Sequence, residues 1–116
     1  MFSVDFYQLH DGTKPVGQFI RSIEDQKLKA KVLRGLKLLE TYGNKLREPD
    51  SKALEDGILK LRAIQGNNIA RCLYFFMPGK KIIVTNGFIK KTDVTPPEEL
   101  RLAKERKADH ERRFCQ

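Results

Sequence analysis

Residues 58–91 read ILKLRAI, QGNN, IARCLYFFM, PGK, KIIVTNGF and IKK. Three short apolar runs are separated by two clusters of turn residues, the pattern of a β-meander. The apolar positions need only a core beneath them. The cations within and beside them, Lys60, Arg62, Arg71, Lys90 and Lys91, need more. A charge in a half-buried strand costs free energy unless it keeps water or meets an anion. So many cations on one small sheet predict a site for a polyanion.

Alternation in the first run separates Leu59, Leu61 and Ala63 from Ile58, Lys60, Arg62 and Ile64. The first set suits a core beneath helices. The second puts Lys60 and Arg62 side by side on the opposite face. In the second run Arg71 shares a face with Leu73 and Phe75, while Cys72, Tyr74 and Phe76 take the other. Both faces are apolar, so this run predicts a central strand buried on both sides. Arg71 would then be partly desolvated, where its hydrogen bonds to an anion are strongest. A salt bridge from Arg71 to Asp5 or Glu55 is the alternative. Gly87 in the third run predicts a bulge or a close backbone approach. The adjacent Tyr74, Phe75 and Phe76 point to alternating faces, which suits a core better than an RNA-stacking platform.

Upstream, Phe2 to Gln8 alternates as a half-buried strand, with Phe2, Val4 and Phe6 on one face. Thr13 or Asp11 is placed to cap a helix with Pro15 in its first turn. Val16, Phe19, Ile20 and Ile23 have helical spacing. A second helix is expected from about Gln26 to Tyr42, ending at Gly43, with Leu28, Val32, Leu36 and Leu39 as its core stripe. Lys27, Lys31, Arg34 and Lys37 lie outside that stripe, as a solvated face or a phosphate-facing ridge. Lys45 to Gly57 reads as a loop broken by Pro49, with one possible turn over Ser51–Leu54. Downstream, Thr95 followed by two prolines and two glutamates starts a last helix, from Pro97 to His110 or beyond. Leu100 and Ala103 should pack, leaving Arg101, Lys104, Arg106, Lys107, Arg112 and Arg113 outside.

The chain of 116 residues is expected to form a single domain over 1–116. Its net charge of +8 favours nucleic acid, an anionic surface or an acidic protein as partner. No apolar run approaches the ~18 residues of a membrane span. Cys72 sits inside a strand and Cys115 is next to last, so neither a disulfide framework nor a metal spacing follows. The expectation is a cytoplasmic protein with reduced thiols. There is no Gly-rich phosphate loop, CxxC or HExxH motif, and His10 and His110 stand at opposite ends of the chain.

The runs LKLR, ARCLYFF, IVTNGFIKKT and PPEELRLAKER, in that order, resemble the RelE/ParE toxin superfamily, closest to its HigB-like, phage-derived branch. The resemblance covers Val4 to about Asp109. It implies an α+β, RelE-like fold: an N-terminal strand and a helical hairpin packed on a small antiparallel sheet of about four strands, then a C-terminal helix. It also implies the toxin of a type II toxin–antitoxin pair, a ribosome-dependent mRNA endonuclease that needs no metal or other cofactor. In such toxins the mRNA 2′-hydroxyl attacks its own neighbouring phosphate.

Position by position, Arg71 matches the family's strand arginine on the scissile phosphate. Lys60 and Arg62 match the basic pair of the preceding strand, and Lys90 and Lys91 the pair after the last strand. The resemblance thus makes Arg71, Lys60, Lys91 and Arg62 the catalytic candidates. Lys90, Lys60, Arg62, Lys31 and Arg34 are the RNA-binding candidates. Fixed cations stabilise the charge that develops on phosphate in the transition state. Lys60 or Lys91, crowded by other cations, would be poised to move protons near neutral pH. No tyrosine follows Tyr74, so the terminal-helix tyrosine that serves some relatives as general base has no counterpart; His110 stands in reserve. The implied partners are mRNA, the ribosome and an acidic antitoxin of the helix-turn-helix, HigA-like kind, covering the basic cleft or the helical hairpin. Two other functions fit the same features: a ParE-like inhibitor of DNA gyrase, and an RNA-binding module without activity.

Overall fold

The computed structural model describes residues 1–92 and 94–114; Cys115 lies outside the described residues. The elements run β1 (Ser3–Phe6), α1 (Pro15–Ser22), α2 (Gln26–Tyr42), a short 3-10 turn (Gly43–Lys45), β2 (Ser51–Ala53), β3 (Leu59–Gln65), β4 (Asn68–Met77), β5 (Lys81–Lys90) and α3 (Pro97–Phe114). The strands form one sheet in the order β1-β5-β4-β3-β2. This is the α+β architecture that the resemblance implies, with α1 and α2 on one face and α3 on the other.

The sheet departs from expectation in two ways. It has five strands, because Ser51–Ala53 pairs antiparallel with Leu59–Leu61 instead of forming a helical turn. The sheet is also mixed, since β1 runs parallel to β5. The two antiparallel turns of the meander are enforced by short connections. No short connection ties β1 to β5, so nothing local dictates its direction.

Parity along β3 and β4 falls as the sequence requires. Leu61, Ala70, Cys72 and Tyr74 join Val16, Leu28, Val32, Leu36 and Leu39 in the core under α1 and α2. Burial pushes the Cys72 thiol up to about 12, so it behaves as a small apolar side chain. Ile58, Leu73, Phe75, Ile83 and Phe88 turn the other way and meet Ala103 of α3. Thus β4 is covered on both sides, and its Leu73 and Phe75 have no exposed surface.

Asp25 caps α2 by accepting from the backbone N–H groups of Lys27 and Leu28, at 2.9 and 3.2 Å. Gly43, with φ of +52°, ends it. Neither Thr13 nor Asp11 caps α1: its N-cap is Lys14, without a side-chain bond. The Asp11 carboxylate instead accepts from the Thr13 N–H, closing a local turn.

Gly87 is the close approach and not the bulge. A Cβ there would overlap the Phe19 ring of α1. The bulge lies earlier, where Leu73 pairs with Asn86 but Tyr74 pairs with Val84, leaving Thr85 as the extra residue.

Not all the cations of α3 stay in solvent. Arg106 donates to the Thr85 carbonyl at 2.8 Å, and its guanidinium lies 5.4 Å from the Tyr7 ring centre. Lys107 lies over Phe75 and Arg113 over Tyr7. Long basic side chains bury their stems on aromatic rings while keeping their charge, which an apolar-stripe count does not register. The Tyr7 hydroxyl donates to Asp109 at 2.6 Å, and Arg113 pairs with the same carboxylate at 2.7 Å. That cluster ties α3 to the segment after β1. Among the described residues no helix is long and apolar enough to cross a membrane.

Two consequences can be measured. Gly87→Ala should lower stability by about 1–3 kcal/mol, the usual cost of overpacking. Combined with Phe19→Leu the loss should be less than additive, which chemical denaturation of the two single variants and the double would reveal. The bonds from Tyr7 and then Arg113 hold the Asp109 carboxyl down at about 2. An unfolded Asp titrates near ~3.9, so this contribution is complete above that value and fades as pH falls towards about 2. Asp109→Asn should therefore melt below wild type at pH 7, and the gap should close across that acid window.

Candidate nucleic-acid interface

The face of the sheet beneath α3 carries the cations in ordered rungs. On one rung Lys52 lies opposite Lys60, Lys60 opposite Leu73, and Leu73 opposite Asn86. Two residues along, Arg62 lies opposite Arg71, and Arg71 opposite Phe88. The next rung brings Ile64, Ile69 and Lys90 into line. Like charges directly opposite each other on neighbouring strands are unfavourable, and this face has two such pairs, Lys52–Lys60 and Arg62–Arg71.

Helix α3 does not run along the Arg71 rung, which is covered instead where the chain leaves β5, at Thr92. It starts beside Asn86, whose side-chain amide donates to the Glu99 carboxylate at 2.9 Å and to the Glu99 carbonyl at 3.2 Å. Its later contacts, through Arg106 to Thr85 and through His110 to Phe75, lead away from Arg71.

Burial grades the cations. Arg71 is fully buried, beyond the partial desolvation expected from the sequence, and Lys60 is only 8% exposed. One Arg71 guanidinium nitrogen donates to the Thr92 carbonyl. Arg62 is half-buried, and Lys90 and Lys91 are exposed. A charge held under the surface is poorly screened by water, so it projects a strong field. The Arg71 salt bridges considered from the sequence do not fit this placement. Glu55 pairs with Lys104 at 2.7 Å. Asp5 aligns through Ile83 with Phe75, four residues along β4 from Arg71, or about 13 Å at the usual strand rise.

The helix cations reach the same sheet edge from the other side. Lys31, Arg34 and Arg62 line a shallow cavity of about 250 Å³ between α2 and β3. Lys31 donates to the Ile64 carbonyl at 2.8 Å. Arg62 also lines a smaller cavity of about 80 Å³ with Lys52 and Lys60 against Glu48 and Asp50. The basic surface therefore runs from Lys90 across β4 and β3 to the edge of α2.

Neither histidine joins it. The His10 imidazole is 3.5 Å from Asp109. His110 sits between the Phe75 and Phe114 rings, where burial pushes its pKa down. Both lie at the far end of α3.

Sequence reasoning missed the polar cluster at the bulge. Thr85 and Asn86 are buried, and the Thr85 hydroxyl is 2.6 Å from Asn86 Oδ1 and 3.1 Å from the Leu73 carbonyl. The signal that could have found it is the one that exposed Arg71: polar side chains inside an apolar strand.

The family model described as Phage derived protein Gp49-like (DUF891) matches residues 18–108. That span holds the second half of α1, the whole of α2 and strands β2–β5, most of α3 and every cation of the basic surface. No curated protein matches the chain. With most of its length matched, the chain belongs to the Gp49-like phage-derived family, a toxin-like family of the RelE/ParE superfamily.

Proposed function

We propose that this chain is the toxin of a type II toxin–antitoxin pair, a HigB-like endoribonuclease that cuts mRNA on the ribosome without a metal. The observation that carries this reading is the placement of Lys60, Arg62 and Arg71 on adjoining rungs of one sheet face, bordered by the exposed Lys90 and Lys91. Two like-charged cross-strand pairs concentrate positive charge on that face, and such a charge attracts a polyanion.

In the proposed reaction the 2′-oxygen attacks the adjacent phosphorus and the 5′-oxygen leaves. Negative charge grows on the phosphate and on the departing oxygen. Arg71, fixed and buried, stabilises that charge without reorganising. Lys60, beside it and almost buried, supplies the proton to the leaving oxygen. Arg62 contacts the phosphate from the β3 edge. Lys90 and Lys91 hold one side of the RNA backbone, and Lys31 and Arg34 the other. An acidic, helix-turn-helix antitoxin of the HigA-like kind would neutralise this surface in the resting cytoplasm.

Expression of wild type beside Arg71→Ala and the less buried Arg62→Ala tests the reading. Wild type should arrest growth and create new 5′ ends inside translated messages. Both effects should be lost in the variants, with Arg62→Ala still melting near wild type. Arrest without new ends, the outcome of a gyrase inhibitor, contradicts it.

The flanking lysines have their own signature. Each phosphate contact to a single strand contributes about 0.7 to the slope of log K against log salt. Replacing Lys90 and Lys91 together by Ala should reduce the slope for a single-stranded RNA by about 1.4. An unchanged slope would remove them from the interface.

A further inference from the structure

The cleavage proposed above needs a group to take the 2′-proton, and the cations of the basic surface cannot serve as that base. We propose that Glu99 is the general base of this site; the inference rests on the endonuclease reading. Three features of the fold support it.

The first is position. Asn86 pairs with Leu73, and Arg71 lies two residues before Leu73 on the same face, so Asn86 and Arg71 are diagonal neighbours. Such Cα atoms are about 7–8 Å apart. The Glu99 carboxylate, 2.9 Å from the Asn86 amide, is therefore held at the border of the Arg71 site.

The second is sidedness. Lys60 and Asn86 flank Leu73 from opposite sides of β4. Two strand spacings, about 10 Å, separate their backbones. An in-line displacement puts the attacking and leaving oxygens on opposite sides of phosphorus. A carboxylate on the β5 side and an ammonium on the β3 side meet that requirement, with Arg71 beneath the phosphate.

The third is the state of the carboxylate. Asn86 is 4% exposed, and its amide fixes Glu99 Oε1. Glu99 itself is half-buried and forms no ion pair among the described residues, although its charge is felt at Arg106. A carboxylate held in place by a single amide can be aimed at the hydroxyl whose proton it takes. The middle and end of α3 are fastened separately, by Arg106 on Thr85 and Asp109 on Tyr7.

The proton balance closes. The 2′-hydroxyl gives its proton to Glu99 as the bond from the 2′-oxygen to phosphorus forms. The bond from phosphorus to the 5′-oxygen breaks, and that oxygen takes a proton from Lys60. The products are a 2′,3′-cyclic phosphate and a 5′-hydroxyl. Exchange with water restores both side chains.

Single-turnover cleavage on mRNA-programmed ribosomes tests the assignment with wild type, Glu99→Gln and Glu99→Asp. Gln keeps the acceptor for Asn86 and loses the base, whereas Asp keeps the base on a shorter arm. General bases contribute about 10²-fold or more. Glu99→Gln should cut about 10²-fold more slowly, with RNA affinity and melting temperature near wild type, and Glu99→Asp should retain more activity than Gln. If Glu99 only pins the helix, the order reverses, with Gln near wild type and Asp impaired; that result overturns the inference and leaves the nuclease standing. If Glu99→Gln melts far below wild type, the Asp variant decides: activity lost despite a near wild-type melt overturns the inference, and activity largely kept supports it. A wild type that does not cut at all removes both readings together.

Discussion

A guanidinium with no exposed surface, set in the middle strand of a sheet, is the constraint around which this protein is arranged. Burial of a charge is expensive unless its surroundings compensate. Here the Thr92 carbonyl takes one of the Arg71 nitrogens, and Arg62 and Lys60 crowd the same face. An apolar side chain at position 71 would suit β4 better, because Leu73 and Phe75 on that face are core residues. On the proposed reading the cation also acts on negative charge brought from outside. Its rigidity is then an advantage, since a fixed field need not reorganise as charge develops.

The rest of the fold serves that placement. Helices α1 and α2 seal one face of β4, and the Phe19 ring presses so closely on β5 that only glycine fits at position 87. On the other face α3 reaches just far enough to cover Leu73, Phe75 and Ile83. Its start is fixed by Glu99 on Asn86 and its end by Asp109 on Tyr7. The bulge at Thr85 frees the carbonyl to which Arg106 donates, so one irregularity in β5 sets where the helix sits.

Much of this was legible in the sequence because the signals were local. Asp25 and Gly43 mark the ends of α2 by their own chemistry, and period-two parity sorted every residue of β3 to its face. The buried cations stood out against apolar neighbours. The features that did not show depend on partners distant in the chain. Ser51–Ala53 has no strand pattern of its own and becomes a strand only because β3 offers an edge. The direction of β1 is set by a neighbour almost eighty positions away. Arg106, Lys107 and Arg113 read as solvated charges until Tyr7 and Phe75 appear beneath them. Glu99 was hidden most completely, because an acid in the first turn of a helix is ordinary and nothing local names Asn86 as its neighbour.

On the proposed reading, a cation-lined face turns RNA's own 2′-hydroxyl against it. The most direct test is the end chemistry of the cut made by the purified chain on mRNA-programmed ribosomes. The expected cut leaves a 2′,3′-cyclic phosphate on one fragment and a 5′-hydroxyl on the other. Fragments ending in a 3′-hydroxyl and a 5′-phosphate, or messages left intact, would contradict it.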